Sequence, residues 1–197
     1  MNQQASAPQI IGGDAAGARP AVECTCVVIK NDWVNEEYKH MVLEVPAPAL
    51  RAKAGQFFQL LCPSLNAGDL WLRRPMSIYR VDEPAGRLEF LYKCVGDGTR
   101  GMATLAPRDA FNIVGPLGVG FSVDPAWRNI VVLGRGVGLA TLAPISQLAA
   151  ENGVNVTAIL SARTADLIMT DDLFGAMGAD VIAVTDADGS SAVENVE

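Results

Sequence analysis

The sequence is short of histidine, of positive charge and of long apolar runs. A single histidine, His40, stands among 197 residues. It falls in a strand-like run, where a partly exposed filler is the plainer reading than an acid or base. No nucleophile–base pair points to hydrolysis. Fifteen Lys and Arg face 22 Asp and Glu, a net charge of −7. That balance argues against nucleic acid or an anionic membrane surface, because little would neutralise the phosphates. No apolar run approaches the roughly 18 residues that span a bilayer. The opening stretch, MNQQASAPQIIGGDAAGARP, lacks a basic segment followed by an apolar one. It reads as a flexible tail rather than a secretory signal, which leaves the cytoplasm as the default location. Cysteine is sparse too. Cys24 and Cys26 share one face of a β-like run, CTCVVIK. Cys62 and Cys94 supply no second close pair, and the spacing matches no zinc or iron–sulfur pattern. Reduced, partly buried thiols acting as small hydrophobes are expected, and no metal site.

What is present suits a globular protein: 50% of residues are apolar and 19% charged. From Val22 to about Phe121 short strands alternate with Pro and Gly: VECTCVVIKNDWV, YKHMVLEVP, GQFFQLLCP, LRRPMSIYRV, RLEFLYKCV and AFNIVGP. In the fifth, Leu88, Phe90, Tyr92 and Cys94 alternate with Glu89 and Lys93, the period-two pattern of a half-buried strand. DEPAGR, residues 82–87, has hairpin length. Only one helix is expected in this block, over GDGTRGMATLAP with Thr99 as N-cap.

After Phe121 the grammar changes. NIVVLGRGVGLATLAPISQLAAENG reads as a strand, a glycine turn and a helix, VNVTAILSA as a second strand, IMTDDLFGAMGA as a helix and DVIAVTDAD as a third strand. Strands alternating with helices predict a parallel sheet. The fold class expected is α+β in two domains: an antiparallel six-stranded Greek-key β-barrel, then an α/β nucleotide-binding domain. Residues 1–20 form the tail, 21–122 the barrel and 123–197 the α/β part, with the boundary near 121–128. Three strands and two helices bury little for a free-standing doubly wound sheet. The α/β part is therefore expected to be truncated or completed by another polypeptide.

Four features could carry chemistry. Arg74-Pro75-Met76-Ser77 puts a guanidinium and a hydroxyl on one strand. An edge strand with a solvated arginine would look the same. Gly96-Asp97-Gly98-Thr99 opens a helix, whose unpaired N–H groups suit a phosphate. Gly115-Pro116-Leu117-Gly118-Val119-Gly120 is a side-chain-poor turn that a flat ring could approach. A fourth, Gly134-Arg135-Gly136-Val137-Gly138, sits where strand meets helix and permits close approach of a dinucleotide. A glycine-tolerant turn without a ligand is the alternative there, since the spacing is not G-x-G-x-x-G.

Taken in order, RRPMSI, YK-x-x-G-x-GT, GPLG-x-GF and the βα glycine loop resemble the ferredoxin reductase superfamily. Within it the pattern is most similar to the electron-transfer subunits of dihydroorotate dehydrogenase, over about residues 20–190. The resemblance implies an FAD-dependent NAD(P)H oxidoreductase subunit that trades electrons between NAD(P)(H) and a partner oxidoreductase, with a place in pyrimidine biosynthesis as one setting. It implies that Arg74, with Pro75 and Met76 beside it, pairs with the FAD pyrophosphate, and that Ser77, the catalytic candidate, bonds the flavin near N5. Leu91, Tyr92 and Lys93 would line its nucleotide side. Gly98 and Thr99 would cap the phosphates. Gly134, Gly136 and Gly138 would receive the nicotinamide nucleotide near Gly115 and Gly118.

The sequence departs from the pattern twice. Arg135 stands where the family usually has glycine. This sequence does not include the Cys-rich segment that holds a 2Fe–2S cluster in the family, and its four cysteines do not map onto those ligands. A complete chain would lack such a cluster, and a fragment would leave it on the missing part. A stand-alone NAD(P)H:acceptor reductase and a non-catalytic barrel module are the rival readings. Arg163 leaves NAD against NADP open. Asp171 and Asp172 read as helix-start acids, and Asp186 and Asp188 as loop acids.

Overall fold

Alternation becomes faces directly in the first long strand, where every second residue from Val22 to Val28 is buried. The structure, a computed structural model, describes residues 9–11, 21–65 and 72–195. It divides into two compact units between Gly120 and Phe121.

Among the described residues the first unit holds strands β1 (Gln9–Ile11), β2 (Ala21–Trp33), β3 (Tyr38–Glu44), β4 (Phe57–Leu60), β5 (Arg74–Ser77), β6 (Arg80–Asp82), β7 (Arg87–Lys93) and β8 (Ala110–Leu117). They form one curled antiparallel sheet in the order β5-β4-β8-β2-β3-β7-β6, with β1 on β2. Part of the expected flexible tail is therefore a strand: Gln9 pairs with Glu23 and Ile11 with Ala21. The rest of that tail lies outside the described residues.

The run LRRPMSIYRV, expected as one strand, is two. β5 pairs with β4, and Ile78 still donates its N–H to Gln56 O. One residue later Tyr79 donates to Glu89 O, and β6 continues along β7. The two ends of the sheet are thus successive pieces of one segment. The alternation slips at the switch. Met76 and Ile78 pack on the core, Tyr79 meets the His40 ring edge-to-face, Arg80 reaches Glu89, and Val81 turns back to the core.

A second difference is β7, which is buried on both faces rather than half-buried. Leu88, Phe90 and Tyr92 enter the core, while Glu89 and Leu91 on the other face are also covered, at 6% and 2% exposure. The hairpin over residues 82–87 forms as expected, with Gly86 at φ +68°.

Two helices appear where one was expected. α1 (Ala47–Leu50) is a single turn started by prolines, whose fixed φ suits a first turn. α2 (Asp97–Ala103) buries Met102 in the core. Its N-cap is Gly96, not Thr99. Thr99 is the third helical residue, and its hydroxyl accepts from the N–H groups of Val95 (3.0 Å) and Gly96 (3.1 Å). A capless glycine start is satisfied from inside the helix.

In the second unit β9 (Asn129–Arg135), β10 (Asn155–Ala162) and β11 (Asp180–Thr185) pair in parallel with β10 central, as the alternating grammar predicts. α3 (Leu139–Glu151) follows β9 through a 3-10 turn at Gly136–Gly138, and α4 (Asp171–Ala176) precedes β11. Asp171 and Asp172 start α4, as expected for acids near a helix N-terminus. Among the described residues no helix is long and apolar enough to cross a membrane.

Close packing fixes α2. A Cβ on Gly101 would stand 1.9 Å from the carbonyl oxygen of Pro63. Helix propensity alone favours Ala over Gly by about 1 kcal/mol. Here the clash with backbone reverses the sign, so Gly101→Ala is expected to destabilise by about 1–3 kcal/mol, read from chemical denaturation.

Candidate functional site

Strand β5 organises the first unit's candidate residues. The adjacent arginines part company. Arg73 is bound to Glu23 on β2 at 2.6 Å. Arg74 has no carboxylate partner among the described residues, and its Nη1 donates only to the Leu72 carbonyl at 2.7 Å. Arg74 instead lies against the mouth of α2. A Cβ on Gly98 would meet its Nε at 3.0 Å and its Cγ at 3.1 Å. Glycine at 98 therefore leaves the space that the arginine stem fills, which brings a cation to the approach of the helix. Cys62 is the third wall. Burial pushes its thiol up to about 11, against the opposing pull of Arg74.

The other end of β5 carries the hydroxyl. Ser77 is opposite Phe57 on β4, and Phe57 is opposite Leu117 on β8. A row Ser77–Phe57–Leu117 thus crosses three strands and ends at Gly118, which has φ +85° and lies against the Phe57 ring. Ser77 is half-buried and its hydroxyl has no hydrogen-bond partner among the described residues. Gln56 ties the turn down, with Nε2 donating to Gly118 O at 2.8 Å. Phe57 and Gln56 were missed from the sequence. The apolar run GQFFQL hints at a strand but not at what it faces. Gly115 is different from Gly118. A Cβ there would stand 2.4 Å from the Phe58 ring, so this glycine makes room inside the core.

The three β7 residues do not share a face. Tyr92 is fully buried and donates its hydroxyl to Asn31 Oδ1 at 2.8 Å, and burial pushes that phenol up. Its ring cannot line a surface ligand. Leu91 and Lys93 are on the opposite face, where Lys93 pairs with Glu37 at 2.9 Å. His40 is not a filler. Its Nε2 meets Glu89 at 2.7 Å, and its ring stands edge-on to Tyr79 at 5.5 Å between centroids.

In the second unit each glycine of the loop does something different. Gly134 is a packing glycine, since a Cβ would stand 2.5 Å from Leu139 of α3. Gly136 has φ +54°. Gly138 has open space where a Cβ would go. Arg135 turns to the carboxyl ends of the sheet and meets Asp186 at 2.6 Å. Hydrogen bonds from Arg135 and Ser191 hold the Asp186 carboxyl below its usual range, and Ser190 brings Asp188 to about 2. The two loop acids are therefore engaged, not idle.

The cysteines do not fit an iron–sulfur cluster. Cys24 and Cys26 touch at 3.5 Å between sulfurs inside the core, and Cys62 is buried elsewhere. Among the described residues no three His, Cys, Asp or Glu gather as metal ligands.

No family model matches the chain. Curated relatives do. The dihydroorotate dehydrogenase B (NAD(+)) electron transfer subunit of Desulforamulus reducens is 38% identical over 151 residues, covering 77% of this chain and 56% of the relative. That of Geobacillus thermodenitrificans is 30% identical over 161 residues, covering 81% and 62%. The chain spans somewhat over half the length of these relatives. Among solved structures, an NADH-dependent reduced ferredoxin–NADP oxidoreductase superposes with TM-score 0.72 at 28% identity, over 89% of this chain and 59% of that one. The ferredoxin–NADP+ reductase of Plasmodium falciparum shares the fold at TM-score 0.68 and 13% identity, over 85% and 72%. With the arginine strand, helix mouth and βα glycine loop in place, the chain is a relative of the dihydroorotate dehydrogenase B electron transfer subunits, built on the fold of the ferredoxin reductases.

Proposed function

We propose that this chain is the FAD- and NAD(P)-handling part of an electron-transfer subunit, an FAD-dependent NAD(P)H oxidoreductase that exchanges electrons with a catalytic partner. The observation that carries the reading is β5. It sets a cation without a carboxylate and a hydroxyl without a partner among the described residues three positions apart, about 10 Å along a strand. One end adjoins the mouth of α2 and the other the Phe57–Gly118 row. A nucleotide with an anionic pyrophosphate and a flat ring asks for those two chemistries at separate places. We read the curled sheet as a closed six-stranded Greek-key barrel, in which β5 and β6 count as one strand. The first unit is then the flavin domain and the second the nicotinamide nucleotide domain.

The residues present fit FAD. Arg74 would hold the pyrophosphate, because a permanently charged fork matches phosphate oxygens. Gly98 keeps that fork at the helix mouth. Thr99 acts one step back. Its hydroxyl is engaged by the Val95 and Gly96 N–H groups, so it shapes the loop and leaves the phosphate to others. Ser77 would offer its hydroxyl to the ring edge. Leu91 would contribute its side chain and Tyr92 only its backbone, while Lys93 would have to exchange Glu37 for the ligand. When bound, FAD supplies the ability to accept a hydride and release single electrons, and the protein supplies placement and electrostatics. In the second unit, the turn around Gly136 and Gly138 opens α3 at the carboxyl end of β9, where parallel sheets take nucleotides.

The first test is colour: the purified chain, or the chain soaked in FAD, is expected to be yellow. Folded protein that stays colourless would sink the proposal. Arg74→Ala should weaken FAD binding about ten- to a hundred-fold, the worth of hydrogen bonds to a charged group, while its melting temperature barely moves. Flavin titration beside a melting curve checks this, and equal loss in both assigns Arg74 to the fold. Ser77→Ala should keep flavin affinity within about ten-fold and shift the bound flavin's absorbance bands. Thr99→Val should cost about 1 kcal/mol of stability, and Thr99→Ser should restore it.

A further inference from the structure

Arg135 is the residue by which this loop departs from a plain glycine turn, and the structure gives it a specific tenant. It ends β9, the first of the three parallel strands. Its Nη1 donates to Ser161 Oγ on β10 at 2.8 Å. Its two terminal nitrogens grip Asp186, the residue just after β11, as a fork: Nη1 to Oδ1 at 3.1 Å and Nη2 to Oδ2 at 2.6 Å. Ser191 Oγ donates to the same carboxylate at 2.7 Å. One guanidinium therefore joins the carboxyl ends of all three strands.

That is the edge at which a parallel sheet receives a dinucleotide. The backbone next to it is shaped for close approach, with Gly136 in the left-handed region and open space at Gly138. A carboxylate held by both arms of a guanidinium presents two oxygens in the arrangement that a phosphate also presents. The carboxylate is nevertheless open to solvent, where an incoming anion can compete for the fork. The Arg135 and Asp186 side chains are 48% and 51% exposed, so water and salt screen the pair even though the fork is bidentate. A phosphate brings more charge to the same fork, so exchange of one anion for the other is favoured when nucleotide is present.

We propose that Asp186 is a stand-in for a nucleotide phosphate: Arg135 takes a phosphate of the nicotinamide dinucleotide, and it does so by releasing Asp186. The inference rests on reading the second unit as the nucleotide domain. It assigns opposite signs to the two partners. Arg135 supports nucleotide binding, and Asp186 competes with it.

The experiment is calorimetric titration of the whole chain with ADP-ribose, which carries the pyrophosphate but no redox-active ring, beside melting curves. Arg135→Gln is expected to bind about ten-fold more weakly, as for loss of a charge-assisted hydrogen bond. Arg135→Lys, which keeps the charge and loses the fork, should fall between. Asp186→Asn is expected to bind about two- to five-fold more tightly, the range that an exposed ion pair is worth, and to melt close to the parent. Tighter binding by Asp186→Asn holds the proposal up even if Arg135→Gln fails to fold. If the parent binds ADP-ribose while Asp186→Asn binds equally or less well, the stand-in is overturned and the nucleotide domain survives. If the parent binds no ADP-ribose, the nucleotide reading falls and this inference with it.

Discussion

The first unit depends on a single change of hydrogen-bonding partner. Between Ile78 and Tyr79 the chain leaves Gln56 on one side and takes up Glu89 on the other. A sheet with two free ends exposes unpaired N–H and C=O groups at both. Here the same short segment supplies both ends, so each edge is followed by the other along the chain. The slip in alternation at Tyr79 and Arg80 accompanies the switch, and it places both side chains on His40 and Glu89, off the core. The switch also fixes the candidate site. It anchors the end of β5 that carries Ser77, and the register to β4 then sets Arg74 opposite Leu60, near α2.

Local pattern was readable wherever one strand or helix decides the outcome by itself. The alternation of Leu88, Phe90 and Tyr92, the hairpin at residues 82–87, and the change from strand-and-turn to strand-and-helix grammar all survive in the structure. What was not readable depends on partners far along the chain. Glu89 looks like an outward residue in its own strand, yet His40 is 49 positions away and Arg80 comes from the switched segment. Together they cover it, and β7 becomes buried on both faces. Thr99 could not be told from an N-cap by spacing, because the decision lies in which backbone N–H groups its hydroxyl finds.

Glycines illustrate the same limit within the site. Sequence marks them all as places without a side chain and does not say what uses the space. Gly115 yields to the Phe58 ring and Gly134 to Leu139, so both are demands of packing. Gly98 yields to the Arg74 side chain, a residue of the candidate site. Gly118 and Gly136 are required by φ. A motif of glycines is thus a mixture of roles, and only the neighbour across the fold separates them.

Arginine obeys a parallel rule. Arg73 finds Glu23, Arg100 finds Asp97, and Arg135 finds Asp186. Among the described residues, Arg74, next in sequence to a paired arginine, finds a backbone carbonyl and the side of a glycine but no carboxylate. A guanidinium remains charged at any working pH, so its charge must be met by water or by an anion. Where a carboxylate meets it through one oxygen on a helix face, as at Arg100, the pair is a surface contact of small value. Where the fork is held beside a helix approach without a described carboxylate, or is filled by one at the carboxyl end of a parallel sheet, the electrostatic demand is the one on which the proposed phosphate contacts rest. On the proposed reading, Arg74 in the first unit and Arg135 in the second are the arginines set for an anion, the one without a carboxylate among the described residues and the other holding Asp186. That difference, rather than the number of positive charges, is what a net charge of −7 conceals.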